Sequence, residues 1–291
     1  MHHFVLFSLF TLLVNLFVVL SVYASSTEPP IRVCGKPWAP YFYLDPNPSV
    51  GERPKVQGIN IELFKAISQD TDLDFLPEVI PWKRCLHNTE KFSSLRKHEV
   101  ATDATYNASR GEKYHFVGPI YSAPIAIFYS RRAFPNGVIN PETKKAVTKV
   151  RELKHFEICG MAGWNYEIYT SKYGIPQDNI ITTVHGGLTS VMKMLQQERC
   201  QILETQVSIV AGSISTGKLS LPKDIRCQRL IEKPVDFYLM ISRQSPRAEE
   251  LVTKINASLV KLKTNGEHQT IFDTYMKSVI GDDPNSLLDC L

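Results

Sequence analysis

The sequence predicts an α/β fold built in two similar halves. Strand candidates alternate with helix candidates in units of about 30 residues, and the second half of the chain repeats the rhythm of the first. The composition is that of an ordinary globular protein: 291 residues, 43% hydrophobic, 10% aromatic and 21% charged. That is ample material for a core, and at roughly 150 residues per domain it implies about two domains. No charge run, glycine period or sustained heptad occurs, which excludes disorder, collagen and coiled coil. The net charge of +4 is mild and the basic residues are scattered, so the composition gives no nucleic-acid footprint.

The elements follow in order. Phe4 to Tyr23 is almost wholly apolar and uncharged, and leads into Ala24-Ser25-Ser26 and Pro29-Pro30. Residues 1–24 read as a secretory signal cut near Ala24, the small-residue exit of the apolar run. The alternative is an uncleaved anchor, since about 20 apolar residues can span a membrane. Ile31 to Cys34 reads as a short opening strand, followed by the aromatic loop Trp38 to Tyr43. Ile59, Leu63 and Ile67 recur every four residues, with Phe64 and Ala66 beside them, on one helix face. Phe75–Ile80 reads as a strand, Trp82–Arg96 as a helix with Leu86 and Leu95 inward, and Val100–Tyr106 as a strand. In the second half Phe156–Gly160, Asn179–Val184, Cys200–Glu204 and Asp236–Ser242 read as strands. A helix begins near Asn165, and Gly187–Gln197 forms another with Leu188, Val191, Met192 and Leu195 inward. The helix Arg247–Lys263 carries Leu251, Ile255, Leu259 and Leu262 on one stripe, closes at Asn265-Gly266, and precedes a last helix over Gln269–Ser278. The alternation favours largely parallel sheets.

Six cysteines follow the apolar leader: Cys34, Cys85, Cys159, Cys200, Cys227 and Cys290. An even count in an exported chain suggests disulfides, with 15 connectivities open. No Cys-x-x-Cys occurs, and no pair of histidines at helical spacing accompanies an acid. The sequence therefore implies neither a zinc site nor a cofactor.

Several fragments in order carry a resemblance. They are the aromatic loop Trp38–Tyr43, Gly58-Ile59-Asn60-Ile61-Glu62-Leu63, Thr105-Tyr106-Asn107-Ala108-Ser109-Arg110, Met161-Ala162-Gly163, and Leu262-Lys263-Thr264-Asn265-Gly266-Glu267. In this order the chain resembles the exported solute-binding proteins of family 3, the amino-acid receptors of ABC transporters. The resemblance implies a two-lobed type 2 periplasmic-binding-protein fold with two hinge crossings. Lobe 1 is then discontinuous, residues 25–121 and 236–291, and lobe 2 is 122–235, with crossings near Tyr121-Ser122-Ala123 and Lys233-Pro234-Val235. It further implies a periplasmic monomer that captures a small ligand for a membrane permease or sensor.

The resemblance also assigns positions. Arg110 falls where a guanidinium fork meets the ligand carboxylate, Asn107 caps its helix, and Thr105 falls where a hydroxyl and amide meet the same group. Trp38 and Trp82 fall at the two positions whose rings sandwich the ligand. Tyr41 and Tyr43 read as packing. Asn165, in the turn after a strand, would reach the ligand from the second lobe. Gln206 stands where amino-acid binders carry the acid that takes the ligand's ammonium. Glutamine supplies no charge, which leaves the α-amino site open. Glu204 is the candidate substitute for that acid, but its register suggests another face of the strand. Candidate disulfides are Cys227–Cys290, tying down the C-terminal tail, Cys34–Cys85, linking the first strand to the Trp82 helix, and Cys159–Cys200, on strands that the family places side by side.

Non-catalytic capture is the leading reading. The competing one is an enzyme on the same scaffold, as in cyclohexadienyl dehydratases. Glu204, Asp103 and His185 are its only acid–base candidates, and they form no paired constellation.

Overall fold

The computed structural model describes residues 28–183 and 186–281. The expected signal segment, His185 and Cys290 lie outside the described residues. The strands are β1 (Ile31–Gly35), β2 (Tyr43–Leu44), β3 (Val56–Gln57), β4 (Phe75–Val79), β5 (Val100–Ala104), β6 (Tyr114–Ala123), β7 (Ile125–Ser130), β8 (Ile158–Met161), β9 (Ile180–Thr183), β10 (Ile202–Gln206), β11 (Ile225–Arg229) and β12 (Val235–Ser242). They form two five-stranded sheets, ordered β4-β1-β5-β12-β6 and β11-β7-β10-β8-β9, plus the ribbon β2-β3. The second sheet is drawn from one continuous stretch, whereas the first takes β12 from beyond it. The chain passes from one sheet to the other at Pro124, between β6 and β7, and again between β11 and β12.

The expectation of largely parallel sheets is corrected. β12 runs antiparallel to β5 and β6, and β7 runs antiparallel to β10 and β11. Each enters its sheet through a short link from the other sheet. No crossover helix intervenes to return it parallel to its neighbours.

Helix faces follow the apolar spacing. Ile59, Leu63, Phe64, Ala66 and Ile67 are buried on the helix Ile59–Thr71. Leu251, Ile255, Leu259 and Leu262 are buried on Ala248–Thr264, each such side chain contributing roughly 1.5–3 kcal/mol. Gly266, at φ 81°, supplies the left-handed residue just beyond that helix. The helix expected over Trp82–Arg96 is interrupted at Lys91, giving Trp82–Glu90 and Phe92–Leu95. The break resets the helical phase. Leu86 stays half-buried, but Leu95 is 37% exposed rather than inward.

Among the described residues, Cys34–Cys85 and Cys159–Cys200 brace the halves separately. Cys34 on β1 joins Cys85 on the Trp82 helix, with Sγ atoms 2.06 Å apart. Cys159 on β8 joins Cys200, just before β10, at 1.99 Å.

Candidate functional site

Strands β1 and β5 are neighbours, and both end toward the second sheet. The loops that follow them face the turn after β8 and the end of β10 across a cavity of about 160 Å³. One buried water needs only about 10–15 Å³ on this kind of measure, so the space suits a small organic molecule. Trp38, Trp82, Thr105, Arg110, Asn165 and Gln206 all line it.

Arg110 is set by its cap. The Asn107 side chain accepts from the Arg110 backbone N–H at 2.7 Å, starting the helix Ala108–Lys113. The guanidinium then turns inward. Nη1 donates to the Thr105 carbonyl at 2.9 Å and Nη2 to the Gly163 carbonyl at 3.3 Å. Its Cζ stands 5.8 Å from the Trp82 ring centroid. Burial lowers its pKa, opposed by the charges of Tyr114 and Glu167, but a guanidinium stays charged throughout. The fork is thus oriented by two carbonyls, with donors left over for an anion.

The turn after β8 closes the site from the other side. Gly163 has φ 92°, a conformation that a side chain would strain, and its carbonyl also accepts from Trp82 Nε1 at 3.0 Å. Asn165 Nδ2 donates to Thr105 Oγ1 and to the Tyr106 carbonyl, both at 3.0 Å, and its Oδ1 accepts from Asn107 Nδ2 at 2.9 Å. A second bridge joins the Tyr41 and Ser208 hydroxyls at 2.9 Å. Beside it the helix Val207–Ser215 packs so closely that a Cβ on Gly212 would lie 2.6 Å from the Ala39 carbonyl carbon. Tyr41 and Tyr43 serve packing: Tyr41 stacks on Tyr121 at 3.8 Å, and the Tyr43 hydroxyl meets that of Tyr275 at 3.0 Å.

The walls carry polar atoms without protein partners. Asp103 Oδ2, Trp164 Nε1 and Gln206 Oε1 are buried and make no hydrogen bond. Such atoms are rare in folded interiors; here all three residues line the cavity. Asp103 Oδ1, by contrast, accepts from Asn60 Nδ2 at 2.9 Å and from the Tyr121 hydroxyl at 2.7 Å. Asp103 has φ 58°, uncommon for a non-glycine residue. Burial raises its pKa, with Lys36 acting in the opposite sense.

The reading of Glu204 is corrected. It lines the same cavity as Gln206 because residues two apart on a strand share a face. The Tyr169 hydroxyl donates to its Oε2, and burial pushes its carboxyl up to about 8. Sequence reasoning missed Lys36, whose Nζ lies 3.9 Å from the Trp38 ring centroid and 4.8 Å from that of Trp82. Its only sequence signal was a position just past a strand end, beside the aromatic loop. Among the described residues no group of three or more His, Cys, Asp or Glu forms a metal site.

The sequence profile of the bacterial extracellular solute-binding proteins, family 3, matches residues 31–278. The chain belongs to this family. A solute-binding protein has a ligand-binding role. Solved structures show the same two-lobed fold. An amino acid ABC transporter substrate-binding protein from Streptococcus pneumoniae, bound to L-arginine, superimposes with a TM-score of 0.62 at 15% identity, over 86% of this chain and 96% of that one. A histidine kinase sensor domain with similarity to periplasmic binding proteins gives 0.64 at 16% identity, over 86% and 96%. An ancestral amino-acid-binding protein, a precursor of cyclohexadienyl dehydratase, gives 0.59 at 13% identity, over 85% and 96%. No curated protein matches the solute-binding chain.

Proposed function

We propose that this exported protein captures a small, carboxylate-bearing, amino-acid-like ligand between its lobes and presents it to an ABC-type permease or a sensor. In this reading lobe 1 is residues 25–121 and 236–291, lobe 2 is 122–235, and the crossings at 121–123 and 233–235 act as hinges. The observation that carries it is the Arg110 guanidinium, oriented on the Thr105 and Gly163 carbonyls at the cavity wall. Ligand favours the closed form by touching both lobes at once. Trp38 and Trp82 supply apolar ring faces, Thr105 and Asn165 supply polar groups, and the unpartnered Gln206 oxygen is an acceptor. The test is thermal shift of the purified protein against a metabolite panel. Arg110→Ala is expected to abolish stabilisation by carboxylates, measured against its own unliganded melting temperature, while the fold stays intact; unchanged affinity discards the role. Gln206→Glu is expected to improve binding of α-amino acids, and indifference discards the proposed ammonium position.

A second reading, an enzyme on this scaffold, is favoured by one observation. Glu204 is a buried acid in the cavity that keeps its proton near neutral pH, as general acids do. Consumption of a metabolite by the native protein, lost in Glu204→Gln, would establish it. Stabilisation without chemical change supports capture.

A further inference from the structure

The two indoles at which a ligand would be held already face a cation of the chain itself. Lys36 follows β1 directly, and its ammonium lies against both Trp38 and Trp82, 3.9 and 4.8 Å from their ring centroids. Arg110 approaches the same Trp82 ring. Two cations therefore meet around one indole in the cavity wall, and the charge of Arg110 weakens the charged form of Lys36. The acids in the wall do not offset them fully. Asp103 supports the charge on Lys36 more than Arg110 opposes it, its Oδ1 engaged by Asn60 and Tyr121 and its Oδ2 without a hydrogen bond, but it is one acid against two cations. Glu204, on the opposite wall, holds its proton near neutral pH and is bonded by Tyr169. Glu232 and Lys233, of opposite charge, also line the cavity. Burial lowers Lys36 to about 8, so it is still mostly charged at neutral pH. Two desolvated cations facing a single buried acid are costly, and an anion relieves them.

We infer that Lys36 is a second anion-binding residue, and that the ligand is a small molecule of net negative charge carrying two acidic groups, one on Arg110 and the other on Lys36. This rests on the carboxylate site proposed at Arg110 and adds the ligand's charge class to it. The indoles hold the ammonium by its attraction to their ring faces, and this fixes where the second acidic group is met. A basic ligand would bring a third cation to the same rings.

The test is isothermal titration of the native chain, Lys36→Met, Lys36→Arg and Arg110→Ala. The ligands are four- to six-carbon dicarboxylates, glutamate, aspartate, glutamine and arginine. Methionine keeps the stem that packs against the rings and removes the charge. The native protein is expected to bind a diacid from this set at least tenfold more tightly than glutamine or arginine. Lys36→Met is expected to lose at least tenfold in diacid affinity while changing glutamine affinity less than twofold, and Lys36→Arg to retain most of it. Equal or tighter binding of glutamine or arginine overturns the inference, as does diacid affinity within twofold of native in Lys36→Met. If Arg110→Ala nonetheless loses binding, only the second subsite falls. If nothing in the set binds, or Arg110→Ala binds as native does, the carboxylate reading falls with it.

Discussion

Replacing Glu204 by glutamine reads the cavity's electrostatics as a change in stability. The side chain is buried, and desolvation lifts its carboxyl from the ordinary 4.5 to about 8. The native state therefore keeps a proton that the unfolded chain releases. A group raised in this way contributes stability that is complete below about pH 4.5 and is lost as pH climbs through about 8. At about 1.36 kcal/mol per unit, roughly 3 kcal/mol has gone by pH 7 and about 5 by pH 8. Glutamine keeps the volume and an acceptor for the Tyr169 hydroxyl but does not titrate. The melting temperatures of the two proteins should therefore coincide near pH 4.5. They should then diverge with pH, Glu204→Gln being higher by roughly 6–12 °C at pH 7, at about 2–4 °C per kcal/mol for a chain near this size. Thermal unfolding of both proteins at half-unit steps from pH 4.5 to 8 makes the measurement. A difference that does not change with pH would show that native Glu204 is ionised and that the reckoning of charges in the cavity is wrong.

Two further outcomes follow from contacts elsewhere. Gly212→Ala places a methyl group 2.6 Å from the Ala39 carbonyl carbon, so the helix must back away from the aromatic loop; small-angle scattering should show a larger radius of gyration and titration a weaker ligand affinity, whereas native scattering would refute the close approach. Cys34→Ser with Cys85→Ser opens a loop spanning a separation of 51 residues, which by chain entropy costs about 4 kcal/mol; a loss below 1 kcal/mol in denaturant titration would refute it.

The fold was legible wherever burial follows a simple period. The stripe Leu251, Ile255, Leu259 and Leu262 is buried as its spacing requires, and Asn107 caps its helix as an asparagine before a helical turn should. Legibility failed at Leu95, because nothing in the apolar pattern marks the break at Lys91. It failed for sheet direction because alternation of strands and helices does not reveal which strands arrive straight from the other sheet. At the site, the residues placed by resemblance all reach one cavity. Glu204 was misplaced although strand periodicity alone puts it beside Gln206. Lys36 was invisible for a different reason: a lysine past a strand end looks solvated, and its setting exists only once Trp38 and Trp82 are brought together from separate segments.

The bridges from Asn165 to the Thr105–Asn107 loop and from Tyr41 to Ser208 need nothing but the polypeptide itself. At about 1 kcal/mol apiece, each tilts an open–shut balance roughly fivefold toward shut. A receptor so latched gives up little of its intrinsic affinity to rearrangement. Under the capture role proposed above, the same latch narrows the difference between liganded and unliganded forms that a permease or sensor would read. In that role, sensitivity to scarce solute and fidelity of reporting are set against each other by a handful of side chains.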